Sequence, residues 1–271
     1  MKFQDMRIAS YDSSKTPENN FHVIYDQFNI VITELEFLNK TIPNLFHKYF
    51  VEWSNNLNKQ IISFNEKEKE EFAKISKIQA TYESGKEEIK NVKIQKFFGE
   101  QIKLARFSKT TESFVKEMGL VYLITQFEEF LKDTLRLVYI KNPSILKSSK
   151  KIEVSELIDI KDVEDIKNLA IENQIEDLLH EDIEEIASYL NVKLKINLIK
   201  KKEWKEFAER FYRRNILIHN DGIPNKLYHK KTNTKSKERL DITEKYFSKS
   251  LMLFEKISHD IAHYCEDKFS K

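Results

Sequence analysis

The stretch Thr111–Ile140, TESFVKEMGLVYLITQFEEFLKDTLRLVYI, predicts the centre of a helical bundle. Its apolar residues recur at steps of three and four, which is the period of an α-helix. They form two stripes, and a helix that is apolar on two sides is normally buried between other helices. One stripe holds Phe114, Met118, Val121, Ile124, Leu131, Leu135 and Val138, and the other holds Leu120, Leu123, Phe127 and Phe130.

Composition extends this prediction to the whole chain. Four glycines and four prolines in 271 residues are few for a protein rich in tight turns or sheets, so we expect an all-α fold. The single cysteine, Cys265, excludes an internal disulfide and fits a reducing cytoplasm. No apolar run approaches the roughly 20 residues of a membrane span, so we expect no membrane partner.

On the amino-terminal side of the central helix, residues 1–109 are predicted to form a separate region. A first helix should run from about Asn20 to Leu38, and Pro43 should open a second one, because proline is tolerated in a first turn. A long, charged and partly exposed helical hairpin should follow, turning near Ser84-Gly85 and ending near Phe107. It serves either as a structural arm or as a contact for a partner.

On the other side, residues 110–271 are predicted to form one helical bundle. Asn142-Pro143 should end the central helix, and short helices should follow over 162–176 and 181–190. Residues 194–199 alternate apolar and polar side chains, which allows a short extended piece. A helix should start near Glu203, a basic loop should cover 222–240, and a last helix should begin at Asp241 and Glu244, which resemble a capping box.

The helix from Glu203 carries an unusual cluster of arginines. The chain has seven arginines against thirty-nine lysines, yet three of the seven fall within five residues. A planar guanidinium suits a bidentate grip on phosphate, and an imidazole moves protons near neutral pH. The cluster reads Arg210, Arg213, Arg214 and then, after Asn215, His219.

The spacing Arg214-x4-His219, inside Arg-Arg-Asn-Ile-Leu-Ile-His-Asn-Asp-Gly, resembles the motif of the HEPN superfamily. Members of that family are helical bundles and often metal-independent ribonucleases. The resemblance covers residues 110–270 and implies RNA as substrate, a homodimer with a composite active site, and a role as a toxin or antiviral effector. It also implies an antitoxin or regulatory protein as a possible partner. Because the family tolerates variation in spacing, Arg213 either replaces or assists Arg214.

The chemistry of RNA cleavage assigns roles to these residues. His219 can act as base or acid, Arg214 can stabilise charge on the phosphorane, and Asn215, one turn before His219, could orient the imidazole. No metal or cofactor is expected. Residues 193–239 hold fifteen basic against five acidic residues, and a basic patch attracts phosphates. The predicted substrate-binding residues are Arg213, Arg210, Asn220, Lys226, Lys230 and Lys231.

Alternative roles for the same residues remain open. Asn220 could simply end the helix, and the basic block could be a solvated face. The arginines could pair with the acidic block of residues 153–185, which holds thirteen acidic residues and two lysines. Glu128 and Glu129 interrupt the apolar surface of the central helix, where they either hydrogen-bond into a site or form a solvated edge. The chain would then be a non-catalytic module that binds RNA or a protein.

Overall fold

The computed structural model describes residues 20–81, 91–146 and 162–270, and within these ranges it contains helices and no strand. The predicted all-α fold is therefore confirmed. The helices are α1 (Phe21–Ile62), α2 (Glu66–Thr81), α3 (Val92–Lys141), a 3-10 turn (Pro143–Leu146), α4 (Val163–Leu179), α5 (Ile183–Tyr189), a π-helical turn (Leu190–Leu194), α6 (Trp204–His219), α7 (Lys226–Thr232) and α8 (Glu244–Phe269).

The chain divides into two compact units. The larger unit comprises the described residues up to Leu35 together with Gly119–Lys271, and the smaller unit is Glu36–Met118. Both boundaries fall inside helices, α1 and α3. This division differs from a boundary at residue 109, because Phe21, Ile24 and Phe28 of α1 belong to the same buried core as the carboxy-terminal helices. The sequence offers no break at Leu35 that would have revealed this.

The core of the larger unit is built on an aromatic cluster. Phe127 of α3 contacts Phe207 of α6 and Phe254 of α8, with ring centroids 5.3 and 5.1 Å apart. Such edge-on aromatic contacts stabilise beyond their buried area. The predicted central helix is thus confirmed as the part of α3 that the other helices surround.

Helices α6 and α8 run antiparallel in this unit. Glu203 pairs with Lys256, Glu206 pairs with Lys249, and Arg213 stacks on Tyr246, so the partners move backward along α8 as the residues move forward along α6. At the start of α8, Phe247 packs on Gly119 of α3 so closely that a Cβ there would lie 2.7 Å from the ring. These contacts fix α6 against its neighbours.

The smaller unit has its own aromatic core. Phe64, Phe72 and Phe97 contact one another at centroid distances of 5.3 to 6.0 Å. Helix α2 begins with a reciprocal cap, in which Asn65 Oδ1 accepts from the Glu68 N–H and Glu68 Oε2 accepts from the Asn65 N–H, each at 2.9 Å. The predicted hairpin therefore contains a helix start at Asn65–Glu66. Its predicted turn near Ser84-Gly85 lies outside the described residues.

Two predicted helix breaks are wrong. Helix α1 continues through Pro43, although proline removes one backbone hydrogen bond and costs about 3 kcal/mol inside a helix. Helix α3 continues through Phe107-Ser108, since serine disfavours a helix by only a few tenths of a kcal/mol. Neither the single proline nor the single serine ends a helix of this length when the residues on both sides favour the helix.

Three local predictions also need correction. Phe114 and Met118 are exposed, because the apolar stripe of α3 enters the core of the larger unit only from Leu120 onward. Residues 194–199 form no strand; Lys195 is left-handed, with φ of 66°. The loop 222–240 contains α7, which begins where Asn225 Oδ1 accepts from the Tyr228 N–H.

Cys265 of α8 is completely buried in the core of the larger unit. Burial raises the pKa of its thiol to about 12. Among the helices that the structure describes, none combines the length and apolarity that a membrane crossing requires.

Candidate functional site

Helix α6 carries the three clustered arginines, and its first turns are anchored in the core. Phe207, Ala208 and Phe211 bury its first turns in the core, while Asn215, Ile218 and His219 in its last turns are exposed. Ile216 in the same turns is buried, so the carboxy-terminal end of α6 is exposed on one face. Of the predicted site residues, those nearest the start of α6 lie inside the protein and those nearest the end lie in solvent.

A carboxylate between the helices binds two of the three arginines. Glu209 is bound by Arg210 Nη1 at 3.1 Å and by Arg213 Nη2 at 2.9 Å, and it accepts hydroxyl hydrogen bonds from Tyr228 of α7 at 2.5 Å and Tyr246 of α8 at 2.6 Å. Burial and the nearby Glu209 charge raise the pKa of both tyrosines, so they remain donors. We call Glu209, Arg210, Arg213, Tyr228 and Tyr246 the Glu209 cluster.

Several donors of both arginines are taken by residues in and around the Glu209 cluster. Arg210 is only 5% exposed, donates to Ser250 Oγ at 3.0 Å and lies 4.2 Å from the Tyr246 ring centroid. Arg213 donates to Tyr228 and to the Asp241 carbonyl, and it too stacks on Tyr246. Both guanidinium groups therefore hold α6, α7 and α8 together, and they are not placed to bind phosphate at the surface.

Arg214 faces a different neighbour. Its Nη2 donates to Glu128 Oε1 of α3, and the two side chains are each 24% exposed. Its Nε is buried and has no hydrogen-bond partner among the described residues. Burial raises the pKa of Glu128, and the Arg214 charge opposes that rise. Arg214 thus has one buried donor without a hydrogen-bond partner among the described residues, on a side chain that is itself partly exposed.

His219 is the last residue of α6, and its side chain is exposed. Within the described ranges, no side-chain hydrogen bond joins it to Asn215, which is exposed one turn earlier. Arg214 and His219 are five residues apart, which places them roughly 7.5 Å apart along the axis and about 140° around it. The two residues therefore do not lie on the same face of α6.

The turn after His219 is tightly fixed. The N–H groups of Asn220 and Gly222 both donate to the Ile216 carbonyl at 2.9 Å, and the Asn220 side chain donates to the Ile223 carbonyl. Asp221 and Gly222 are left-handed, with φ of 48° and 71°. The Gly222 carbonyl then accepts from Leu240 at 3.0 Å. Asn220 thus acts in ending the helix, one of its two predicted roles.

The three predicted lysines differ in their surroundings. Lys231 pairs with Glu184 of α5 and with Asp182 at 3.5 Å, and Tyr212 donates to the same Glu184. Lys226 and Lys230 of α7 are exposed, and neither forms an ion pair with any residue that the structure describes. Lys231 therefore joins α7 to α5, whereas Lys226 and Lys230 remain available to an anionic ligand.

No group of three His, Cys, Asp or Glu side chains in the described part of the chain could hold a metal ion. The nearest approach is on α8, where the His259 and His263 rings are 6.1 Å apart and exposed. Two imidazoles without a third ligand make an incomplete site.

Sequence reasoning missed the partners of the arginines. Glu209 lies four residues before Arg213, a spacing at which opposite charges on a helix meet, so this pair was detectable. Tyr228 and Tyr246 reach Glu209 from two other helices, and no local pattern signals that. Glu128 was recognised as an interruption of an apolar face, with contact to a site as one of two options.

The chain matches no protein-family model, no curated protein and no solved structure. A function is therefore inferred from the geometry of α6 and from the motif that it carries.

Proposed function

We propose that this protein is an endoribonuclease that cleaves RNA without a metal ion and leaves 2',3'-cyclic phosphate and 5'-OH ends. One observation carries the proposal: the end of α6 presents an exposed imidazole, His219, five residues beyond Arg214, whose Nε has no hydrogen-bond partner among the described residues. The same pair forms the Arg-x4-His motif that resembles the HEPN superfamily.

The chemistry follows from these two groups. One imidazole takes the proton of the ribose 2'-OH, the 2'-oxygen attacks phosphorus, and the bond from phosphorus to the 5'-oxygen breaks with a proton returned to that oxygen. Arg214 stabilises the charge that builds on the non-bridging oxygens. Lys226 and Lys230 attract the flanking phosphates. DNA resists cleavage because it lacks the 2'-OH.

We further propose that the site is completed by a second copy of the chain. Arg214 and His219 lie about 140° apart around one helix, so a single α6 directs the two groups to different sides. A twofold contact places the same surface against itself, and therefore brings Arg214 of one copy toward His219 of the other. Exposed Ile218, Ile223 and Leu227 supply apolar area near this end of α6. In this proposal the dimer acts in the cytoplasm as a toxin or defence effector, restrained by an antitoxin or regulatory protein.

A second candidate function has its own observation. On α1 within the smaller unit, Leu38, Leu45 and Tyr49 are exposed and recur at steps of seven and four, so they share one helix face. An exposed apolar face is typical of a protein-binding surface. The chain would then be a non-catalytic module that binds a protein or RNA.

Cleavage of total RNA in the presence of EDTA separates the two candidates. The wild type should cut and leave cyclic phosphate ends, whereas Arg214→Ala and His219→Ala should not. His263→Ala is the matched control, because His263 is an exposed histidine on another helix, and it should cut like the wild type. Equal cleavage by the His219→Ala protein would refute the catalytic role.

The oligomeric state tests the composite site separately. Light scattering at micromolar concentration should give twice the mass of the chain, and equimolar Arg214→Ala and His219→Ala proteins should recover part of the activity when mixed. A strict monomer that still cleaves RNA would contradict the composite site.

A further inference from the structure

Two arginine–glutamate pairs in the larger unit differ in how the carboxylate engages the guanidinium. Arg136 donates from Nε to Glu172 Oε1 at 2.6 Å and from Nη2 to Glu172 Oε2 at 2.8 Å, so both donors on one edge are used. Arg214 donates to Glu128 from Nη2 alone, and its Nε, the other donor of the same edge, is buried without a partner among the described residues.

A guanidinium edge with one of its two donors unpaired binds a carboxylate less strongly than an edge with both donors paired. A buried N–H that finds no acceptor has lost its hydrogen bond to water without replacement, and bidentate contacts of arginine with carboxylate or phosphate are the strong ones. The Arg136–Glu172 pair shows that this protein forms such bidentate contacts. The edge of Arg214 that faces Glu128 is therefore suited to a ligand with two oxygen atoms.

We propose that the substrate phosphate displaces Glu128 from Arg214. In the free protein Glu128 accepts a hydrogen bond from Nη2 of Arg214. In the complex the phosphate accepts from both Nε and Nη2. This inference rests on the proposed function, since it assigns Arg214 to the phosphate. Glu128 is a positioning residue, because it acts on the substrate only through Arg214.

The surroundings of Glu128 suit a group that leaves. Its side chain is partly exposed, so it can rotate toward water without opening the core. Burial raises the pKa of Glu128, and the adjacent Glu129 charge raises it further, so its ionised form is held mainly by Arg214. When a phosphate takes that arginine, the repulsion between two anions favours release of Glu128.

Binding of an uncleavable RNA tests the displacement. The probe is a 2'-O-methyl oligonucleotide, whose blocked 2'-oxygen cannot attack, and its affinity is measured by fluorescence anisotropy at one fixed salt concentration. Glu128→Gln keeps the shape and an acceptor for Nη2 but removes the competing charge, so it should bind about fivefold more tightly than the wild type, as expected when a competing state is depopulated. Glu128→Met, which also lacks the charge, should bind more tightly as well.

Two controls separate displacement from a general charge effect. Glu129→Gln removes the same charge from the exposed neighbouring position and should change the affinity by less than about twofold, as a peripheral charge does in salt. In an Arg214→Ala background, Glu128→Gln should give no gain. An equal gain from Glu129→Gln, or a gain that persists without Arg214, would overturn the inference.

The cleavage assay tests the ribonuclease activity and the binding assay tests the displacement of Glu128, so either hypothesis can be refuted without the other. An Arg214-dependent gain for Glu128→Gln without RNA cleavage by any variant would support displacement and refute the ribonuclease. Cleavage that needs Arg214 and His219, with Glu128→Gln binding like the wild type, would refute displacement alone. Absence of probe binding by every variant would also refute displacement.

Discussion

Arg213 and Arg214 are adjacent in the chain, yet their side chains have different partners and different roles in the structure. Arg213 belongs to the Glu209 cluster, where one carboxylate is shared by two arginines and two tyrosines. Among the described residues, Arg214 pairs with one carboxylate, that of Glu128, and its Nε has no hydrogen-bond partner. One step of about 100° around the helix separates a residue that fastens α6 from one that is available for a ligand.

The comparison teaches how a helix can be both anchored and functional. The Glu209 cluster fixes the rotation of α6 relative to α7 and α8, and this rotation decides which side chains of the last turn reach solvent. A dense group of arginines in sequence is therefore a poor guide to a binding surface until the partners of each guanidinium are known. The Glu209 cluster and the Arg214–Glu128 pair can be compared directly by substitutions that remove one charge at a time.

The largest effect is expected from Glu209→Gln. This change leaves Arg210 and Arg213 without the partly buried carboxylate that they share, and it should lower the free energy of unfolding by about 3 kcal/mol. Guanidinium denaturation followed by helical circular dichroism would measure it.

The matched control for Glu209 is Glu206→Gln on the same helix. Glu206 pairs with Lys249 at 2.7 Å, but both side chains are about half exposed, so the change should cost less than about 0.5 kcal/mol. Equal losses from the two substitutions would show that the Glu209 cluster does not anchor α6.

A smaller loss is expected from Arg214→Met, which keeps the stem of the side chain and removes its charge. Glu128 would then be a partly buried carboxylate without a cation, and we expect a loss of about 1.5 kcal/mol at neutral pH. Adding Glu128→Gln to this variant should restore most of the stability, because no charge then remains unpaired.

The pH dependence of this loss has a defined sign. Burial raises the Glu128 pKa above 4.5 in the folded protein, and removing Arg214 raises it further. A carboxyl with a raised pKa stabilises the fold fully below the unfolded pKa, and this contribution is lost as pH rises through the folded pKa. The deficit of Arg214→Met should thus shrink as the pH falls toward 4.5. A deficit that stays constant with pH would place its cause elsewhere.

The smallest effect on stability is expected from His219→Ala. The side chain is exposed at the end of α6, and such surface changes usually stay within about 0.5 kcal/mol. Full loss of RNA cleavage with unchanged unfolding would complete the contrast with Glu209→Gln, which alters stability first. A large loss of stability here would show that His219 belongs to the fold.

Helical periodicity was sufficient to predict most of this fold. The buried part of α3, the start of α6 and the stripe of α8 all follow from apolar residues spaced three and four apart, because a helix buries one face at that period. Helix ends were harder to predict. Pro43 and Ser108 lie inside helices, because the residues on both sides of each position favour the helix.

The candidate site was predicted in composition but not in arrangement. Arg214, Asn215 and His219 lie at one end of α6, as the spacing requires, whereas Arg210 is buried and Lys231 is paired with Glu184. Those outcomes depend on residues from α5, α7 and α8 that are distant in sequence. A single sequence does not encode such pairings in any local pattern.

Cys265 can report when the core of the larger unit opens. A thiol that is fully buried and has its pKa raised to about 12 reacts with an alkylating agent only after α8 has opened. Because the chain has one cysteine, the rate of a single mass increment reads out that opening without any engineered label. Bound RNA, or a second copy of the chain, would slow the increment if it closes over α6 and α8.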